Sequence, residues 1–294
     1  MPENSYVFMT DSDSDLPFRY VDELDLTMVY MPYILDGKEY LDDLGRYGKQ
    51  KEYFDNMRAG SAPVTSLLPT PVYVDYFEPC FREGRDILFI SFSSQLSSTI
   101  NNIFAAREEL LAKYPDRKMI VVDTLSISAP QTLLILGAYE LYRQGKPMEE
   151  VAAWVEENKM HAQAWFTVDD LKYLRRGGRI SAMAATLGTA LDLKPIIILN
   201  KGGKLVSADK VRGRKAALRY IADKTAENIL NPESQTLILM HADAPEDVAR
   251  LEALIRERVP SIHAIETIYV GPVIGAHCGP GTIAACFMGK ERPI

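Results

Sequence analysis

Hydrophobic residues fall along this chain in two rhythms, and the alternation between them predicts the fold. Residues 6–10, 87–92 and 118–123 are short apolar runs bounded by glycine or polar positions, as expected of strands covered on both faces. Between them the spacing lengthens to three or four residues. Helices are predicted over 49–58, ending near Gly60, and over 72–81, with Thr70 and Pro71 as cap and first residue. A further helix opens at Ser97-Ser98-Thr99, where Ile100, Ile103, Phe104, Leu110 and Leu111 form one stripe, and two more span 129–144 and 148–160. Residues 27–35 read as one more strand, closed by the Asp36-Gly37 turn. Strands alternating with helices through residue 160 imply a mostly parallel, right-handed sheet flanked by helices on both faces.

Beyond residue 160 the texture changes. A strand at 165–168 is followed by the glycine-broken cationic stretch Tyr173-Leu174-Arg175-Arg176-Gly177-Gly178-Arg179-Ile180, then by residues 182–190, whose small side chains suit close packing of a helix against backbone or a slender ligand. Residues 196–200 and 204–211 form a β-hairpin across Gly202-Gly203. Helices at 214–228 and 245–258 flank strands at 236–240 and 262–269, while 270–287 reads as a glycine- and proline-rich loop holding His277. The expected architecture is therefore α/β: residues 1–160 form a domain with a mostly parallel sheet, and residues 161–294 form an α+β domain with a largely antiparallel sheet.

Composition narrows the function classes. At 294 residues, 47% hydrophobic and 25% charged, the chain has room for two domains and the make-up of an ordinary globular protein. The first residues lack a basic region followed by an apolar core, and no apolar run is long enough to span a bilayer, so a cytoplasmic location is expected. Cys80, Cys278 and Cys286 have no C-x-x-C spacing and the four histidines no H-E-x-x-H, which argues against disulfides, zinc and any other metal. The net charge of -7 is uneven: residues 172–219 carry twelve Lys and Arg against Asp192 and Asp209. Such a segment is either a docking face for something anionic or a solvated face. Without interleaved aromatics it does not fit nucleic acid.

The candidate chemistry lies in the loops. Ser93 and Ser94 follow the apolar run 87–92, at the carboxyl end of a strand, where open α/β folds gather N–H groups and bind anions or carbonyls. Ser97, Ser98 and Thr99 read as capping residues, and Thr65-Ser66 is a second hydroxyl pair among apolar neighbours. Asp11-Ser12-Asp13-Ser14-Asp15 reads as a turn whose side chains bond the local backbone. His277, in its loop-like surroundings, is a site candidate, whereas His241 and His263 sit in ordinary strand contexts.

Four of these stretches, in order, resemble the DegV family. Thr10-Asp11-Ser12-Asp13-Ser14-Asp15-Leu16-Pro17 is similar to T-D-S-x-S-D-L-P, and Ser93-Ser94-Gln95-Leu96-Ser97-Ser98-Thr99-Ile100-Asn101 to S-S-x-L-S-G-T-x-N. Tyr173 to Ile180 matches Y-L-x-x-G-G-R-I, and Gly271 to His277 matches G-P-x-I-G-x-H. Ser98 replaces a usual glycine, and Gln95 stands where glycine is frequent. The resemblance covers nearly the whole chain. It implies a two-domain, non-catalytic fatty-acid-binding subunit of a bacterial fatty acid kinase, feeding phospholipid synthesis and needing no cofactor beyond its ligand. One long-chain fatty acid would lie in an inter-domain tunnel, its carboxylate held by Thr65, Ser66, Ser93, Ser94 and His277. Arg175, Arg176 and Arg179 would face the ATP-dependent kinase partner or a membrane surface. The chain has no G-x-x-x-x-G-K-[ST] of its own. The competing class is a lipid esterase or acyltransferase with Ser93 as nucleophile and His277 as base. Ser93 is not in G-x-S-x-G, and no carboxylate is evident to orient His277.

Overall fold

The computed structural model describes residues 6–179 and 192–294, so the small-residue stretch expected over 182–190 lies outside the described residues. Strand β1 (Tyr6–Asp11) enters a 3-10 turn (Ser12–Ser14) and helix α1 (Phe18–Leu24), followed by β2 (Thr27–Val29), β3 (Pro32–Leu35) and β4 (Lys38–Leu41). Helix α2 (Gln50–Ala59) and β5 (Val64–Thr65) lead to α3 (Thr70–Arg82), β6 (Asp86–Ser91), α4 (Thr99–Lys113), β7 (Met119–Asp123), α5 (Ser128–Arg143) and α6 (Met148–Asn158). The chain continues through β8 (Ala162–Thr167), α7 (Lys172–Arg176), β9 (Leu193–Leu199), β10 (Leu205–Arg212) and α8 (Arg214–Asn228). It closes with β11 (Thr236–His241), α9 (Pro245–Arg258), β12 (Ala264–Tyr269), α10 (Pro272–Cys278) and β13 (Ile283–Met288).

Three sheets result. The first, ordered β2-β1-β6-β7, is parallel throughout. Its apolar runs have no polar face because both faces are covered: Val7, Met9, Ile87 and Phe89 pack with α3 and α4, and Tyr6, Phe8, Leu88 and Ile90 with α5 and α6. The second, ordered β10-β9-β8-β13-β11-β12, is antiparallel except for the β11/β12 pair. Trp165, Ile196, Ile198, Leu237 and Leu239 face α8 and α9 on its outer side. Ala164, Phe166, Ile197, Leu199, Ile238 and Met240 face inward, toward Phe92 and the start of α5. The architecture is thus mixed α/β, one parallel sheet beside a largely antiparallel one.

Three expectations need correction. Residues 27–35 are two strands: the chain leaves the parallel sheet after Val29, and β3 pairs antiparallel with β4 and β5 in a small third sheet. The four residues of β4 are all exposed and carry no apolar alternation, so the pattern concealed them. The tail is not a loop. Pro272 opens α10, and Ile283–Met288 forms a central strand of the six-stranded sheet. Finally, the cationic run is not one free face. Lys172, Lys194, Lys201 and Arg214 pair with Asp170, Asp169, Glu291 and Asp247, which lie outside the run.

Candidate functional site

Between the carboxyl end of the parallel sheet and the inner face of the six-stranded sheet lies a cavity of about 230 Å³. Strands β8, β9, β10 and β11 contribute Ala164, Phe166, Leu199, Leu205 and Met240 to its wall; Phe92, Ile127, Pro130, Ile274 and Cys278 complete the apolar lining. The polar lining comes from loops and helix ends: Asp13 after β1, Thr65 and Ser66 at β5, Ser97, Ser98 and Thr99 after β6, Arg179 after α7 and His277 on α10.

These polar groups interlock. Thr65 Oγ1 and His277 Nε2 are 3.0 Å apart, and Ser97 Oγ and Thr99 Oγ1 are 2.8 Å apart. Arg179 donates through Nε to the carbonyl of Leu96 at 3.2 Å. Burial, together with the nearby cations Arg179 and Arg176, pushes the His277 imidazole down to about 4, so it is neutral at neutral pH. The ring reaches this place because Gly177 lacks a side chain: a Cβ there would sit 2.2 Å from His277 Nδ1. The glycine of the cationic motif and the histidine of the tail are therefore two halves of one contact.

The structure brings together Thr65, Ser66 and His277, but not Ser93 and Ser94. Ser93 is fully buried behind the cavity wall; its hydroxyl donates to the Gly203 carbonyl at 2.9 Å and accepts from the Gln95 N–H at 3.2 Å. Gly203, at φ +73°, turns the β9–β10 connection so closely against Ser93 that a Cβ would meet Oγ at 2.8 Å. Ser94 accepts from the Gln95 side chain and its N–H donates to Asp123. Neither serine lines the cavity, and among the described residues no hydrogen bond joins Ser93 to His277, so the two do not form a nucleophile–base pair.

The hydroxyls read as caps join Thr65 and Ser66 in lining the cavity, with Ser128 and Thr282. Ser98 precedes α4 without a side-chain capping bond, and Ser97 accepts from the Thr99 N–H at 3.3 Å while remaining in the wall. Arg175 and Arg176 are exposed, Arg176 lying over the Tyr173 ring. Arg179, expected with them on a docking face, is about half-buried in the cavity wall, and burial depresses its guanidinium. The sequence placed it correctly in a basic motif, but not on the inner side of that motif.

The acidic turn does more than bond its own backbone. Asp11 accepts from the Phe92 N–H and from Gln131, both at 3.1 Å, and burial raises its carboxyl to about 6. Asp15 accepts from the Gly271 N–H at 2.8 Å and from the Ser128 hydroxyl, and burial raises it to about 7. Asp13 and Asp42, buried beside them, are held well above the ordinary carboxylate value by burial and by neighbouring carboxylates. This turn fastens β1 to β6, α5 and α10, so the loops that line the cavity share one buried polar support. Among the described residues no group of His, Cys, Asp or Glu is arranged to hold a metal ion.

An apolar wall with a cluster of hydroxyls, a neutral imidazole and a guanidinium can hold a molecule with an apolar body and one anionic end. Comparison with known proteins narrows this. The family profile described as "Uncharacterised protein, DegV family" matches residues 6–290. A DegV domain-containing protein of Clostridium perfringens is 39% identical over 287 residues, 98% of each chain. Among solved structures, a fatty-acid-binding DegV family protein from Thermus thermophilus superposes with a TM-score of 0.84 at 29% identity, covering 96% of this chain and 98% of that one. DegV from Bacillus subtilis, described as a fatty acid binding protein, gives 0.82 at 25% identity, covering 98% and 100%. With the profile spanning nearly its whole length and the same two-sheet frame around the cavity, this chain belongs to the DegV family.

Proposed function

We propose that this protein binds one long-chain fatty acid in the cavity between its two main sheets and presents the carboxylate to a separate ATP-dependent kinase for phosphorylation to an acyl phosphate. The observation that carries the reading is the Thr65–His277 pair at the polar part of a cavity otherwise lined by the apolar inner face of the six-stranded sheet. The fatty-acid-binding proteins among its structural relatives support the ligand class.

The two parts of the ligand do different work. At roughly 0.8 kcal/mol per buried methylene, a tail of about fifteen methylenes contributes on the order of 10 kcal/mol. The tail dominates affinity. Charged hydrogen bonds to the head contribute about 1.5–3 kcal/mol each, largely offset by desolvation, so their work is orientation. Thr65, Ser66, Ser97 and neutral His277 supply those bonds, and Arg179 supplies the opposing charge. Holding the carboxylate in one pose is what a phosphoryl donor delivered by another protein requires. Ser93 acts one step back, fixing the loop that carries Ser97. Exposed Arg175 and Arg176, next to the motif that contacts His277, are the docking cations for the kinase or for transient contact with an anionic membrane surface.

The test is reconstitution. The protein, a long-chain fatty acid, ATP and a bacterial fatty acid kinase are expected to form acyl phosphate, and Thr65→Val is expected to lower its yield at least tenfold. Product formed by the kinase without this protein would overturn the presenting role. Turnover of a chromogenic ester by this protein alone would favour the esterase class instead.

A further inference from the structure

The motif T-D-S-x-S-D-L-P leaves its fourth position open, and this chain fills it with Asp13. The side chain is 4% exposed and lies in the cavity wall. Its Oδ1 is buried without a hydrogen-bond partner, whereas Asp11 and Asp15 are engaged by the groups described above and Asp42 Oδ1 accepts from the Leu44 N–H. Among the described residues no cation lies within ion-pair distance of Asp13; Arg179 is the nearby opposing charge, and its Nε is committed to Leu96. A carboxylate so placed is strongly disfavoured, and a protonated carboxyl is a hydrogen-bond donor. Asp42 Oδ2 is likewise buried without a partner, but of these four carboxyls only Asp13 lines the cavity. The open space beside that carboxyl is the cavity, whose wall Asp13 joins.

We propose that Asp13 holds a proton in the cavity wall and donates a hydrogen bond to the carboxylate of the bound fatty acid, so that this chain reads the anionic head with a carboxylic acid as well as with hydroxyls. The inference rests on the fatty-acid reading above. No bond to carbon changes: the proton stays on Asp13, and where the free protein has lost it, each ligand bound takes one proton from solvent. The charged and titratable groups around Asp13 are Asp11 and Asp15 on its own turn, Asp42 after β4, Tyr73 on α3 and Arg179 after α7. His277 shares the wall but is neutral above about pH 4 and does not titrate in the window that matters.

The experiment is titration of a fluorescent polyene fatty acid into wild type, Asp13→Asn and Asp13→Ala from pH 6 to pH 10. Proton uptake on binding is read at alkaline pH by calorimetry in two buffers of different ionisation heat. Wild-type affinity is expected to fall with rising pH, by up to about tenfold per unit once free Asp13 ionises, with one proton taken up per ligand. Asp13→Asn is expected to lack that fall and that uptake, and Asp13→Ala to bind about tenfold more weakly than wild type at pH 6. Superimposable pH profiles for wild type and Asp13→Asn would overturn the proposal, as would tighter binding by Asp13→Asn at every pH, which would mark Asp13 as an ionised, repelling group. Binding by none of the three proteins would remove the fatty-acid reading itself, an outcome distinct from binding with identical profiles.

Discussion

Ser93 and Ser97 lie in one loop, four residues apart, and serve different ends. Ser93 faces the β9–β10 connection and holds the Gly203 carbonyl, whereas Ser97 lines the cavity. Removing a buried donor that leaves its acceptor unsatisfied costs about 1–3 kcal/mol. Ser93→Ala is therefore expected to lose stability of that size in urea unfolding. Ser97→Ala, which strands the Thr99 N–H and hydroxyl at a half-buried site, is expected to cost less stability than Ser93→Ala and to weaken fatty-acid binding more. Sequence could say that hydroxyls cluster after β6; it could not say which way each points, because that depends on a partner 110 residues away. His277 stood out in the sequence by its surroundings; it lines the cavity, and its neutrality follows from burial beside two arginines. A histidine lowered from about 6.5 to about 4 favours the unfolded chain as pH falls through that interval, so its contribution to stability rises with pH between 4 and 6.5. Asp11 and Asp15, raised on folding, act with the opposite sign over nearly the same range. The readout is therefore a difference: relative to wild type, His277→Gln is expected to gain stability at pH 4.5 compared with pH 7.

At the scale of elements, the acidic turn after β1 is the joint of the molecule. Asp15 takes the Gly271 N–H at the start of α10, and a Cβ on Gly271 would fall 2.6 Å from Asp15 Oδ1 and 2.7 Å from Asp42 Oδ2. Two buried carboxyls so near one another cannot both ionise without cost. Since the Asp42 value is raised on folding, its stabilising share is present at acid pH and is lost as pH rises. Asp42→Asn keeps the acceptor used by Leu44 and removes the second charge. It is expected to gain about 1 kcal/mol or more relative to wild type at pH 8 compared with pH 5, read from thermal or urea unfolding. The elements legible from periodicity were those with a continuous apolar run or a clear stripe. Helices α8 and α9 have the bounds that spacing predicts. Strand β4 had no apolar signal, and α10 with β13 were masked by the glycines and prolines that surround them.

At the scale of the whole molecule, the sheets are locked around the cavity by a residue that no pattern marks. Arg292 is 1% exposed and donates to the carbonyls of Ala162 at 2.9 Å and Leu125 at 2.6 Å, and to the Ser126 hydroxyl. It thereby joins the start of β8 to the loop before α5; Leu125 in that loop and Ser128 at the first position of α5 hold left-handed backbone at φ +47° and +53°. Burial pushes its guanidinium down to about 10. Arg292→Met strands several buried acceptors and is expected to lose about 3 kcal/mol or more in unfolding experiments. An arginine followed by only Pro293 and Ile294 carries no sequence signal for such a role. The fold class and the order of its parts were legible because both sheets are written in apolar runs. The cavity was not, since its wall draws on loops and strands from both. That cavity is tested most directly by organic extraction of the purified protein, before and after incubation with mixed fatty acids, followed by mass spectrometry. The expected result is about one equivalent of long-chain fatty acid per chain, lost when Phe166 or Leu199 is replaced by a charged residue that still allows folding; a protein that carries no fatty acid and takes none up would contradict the account.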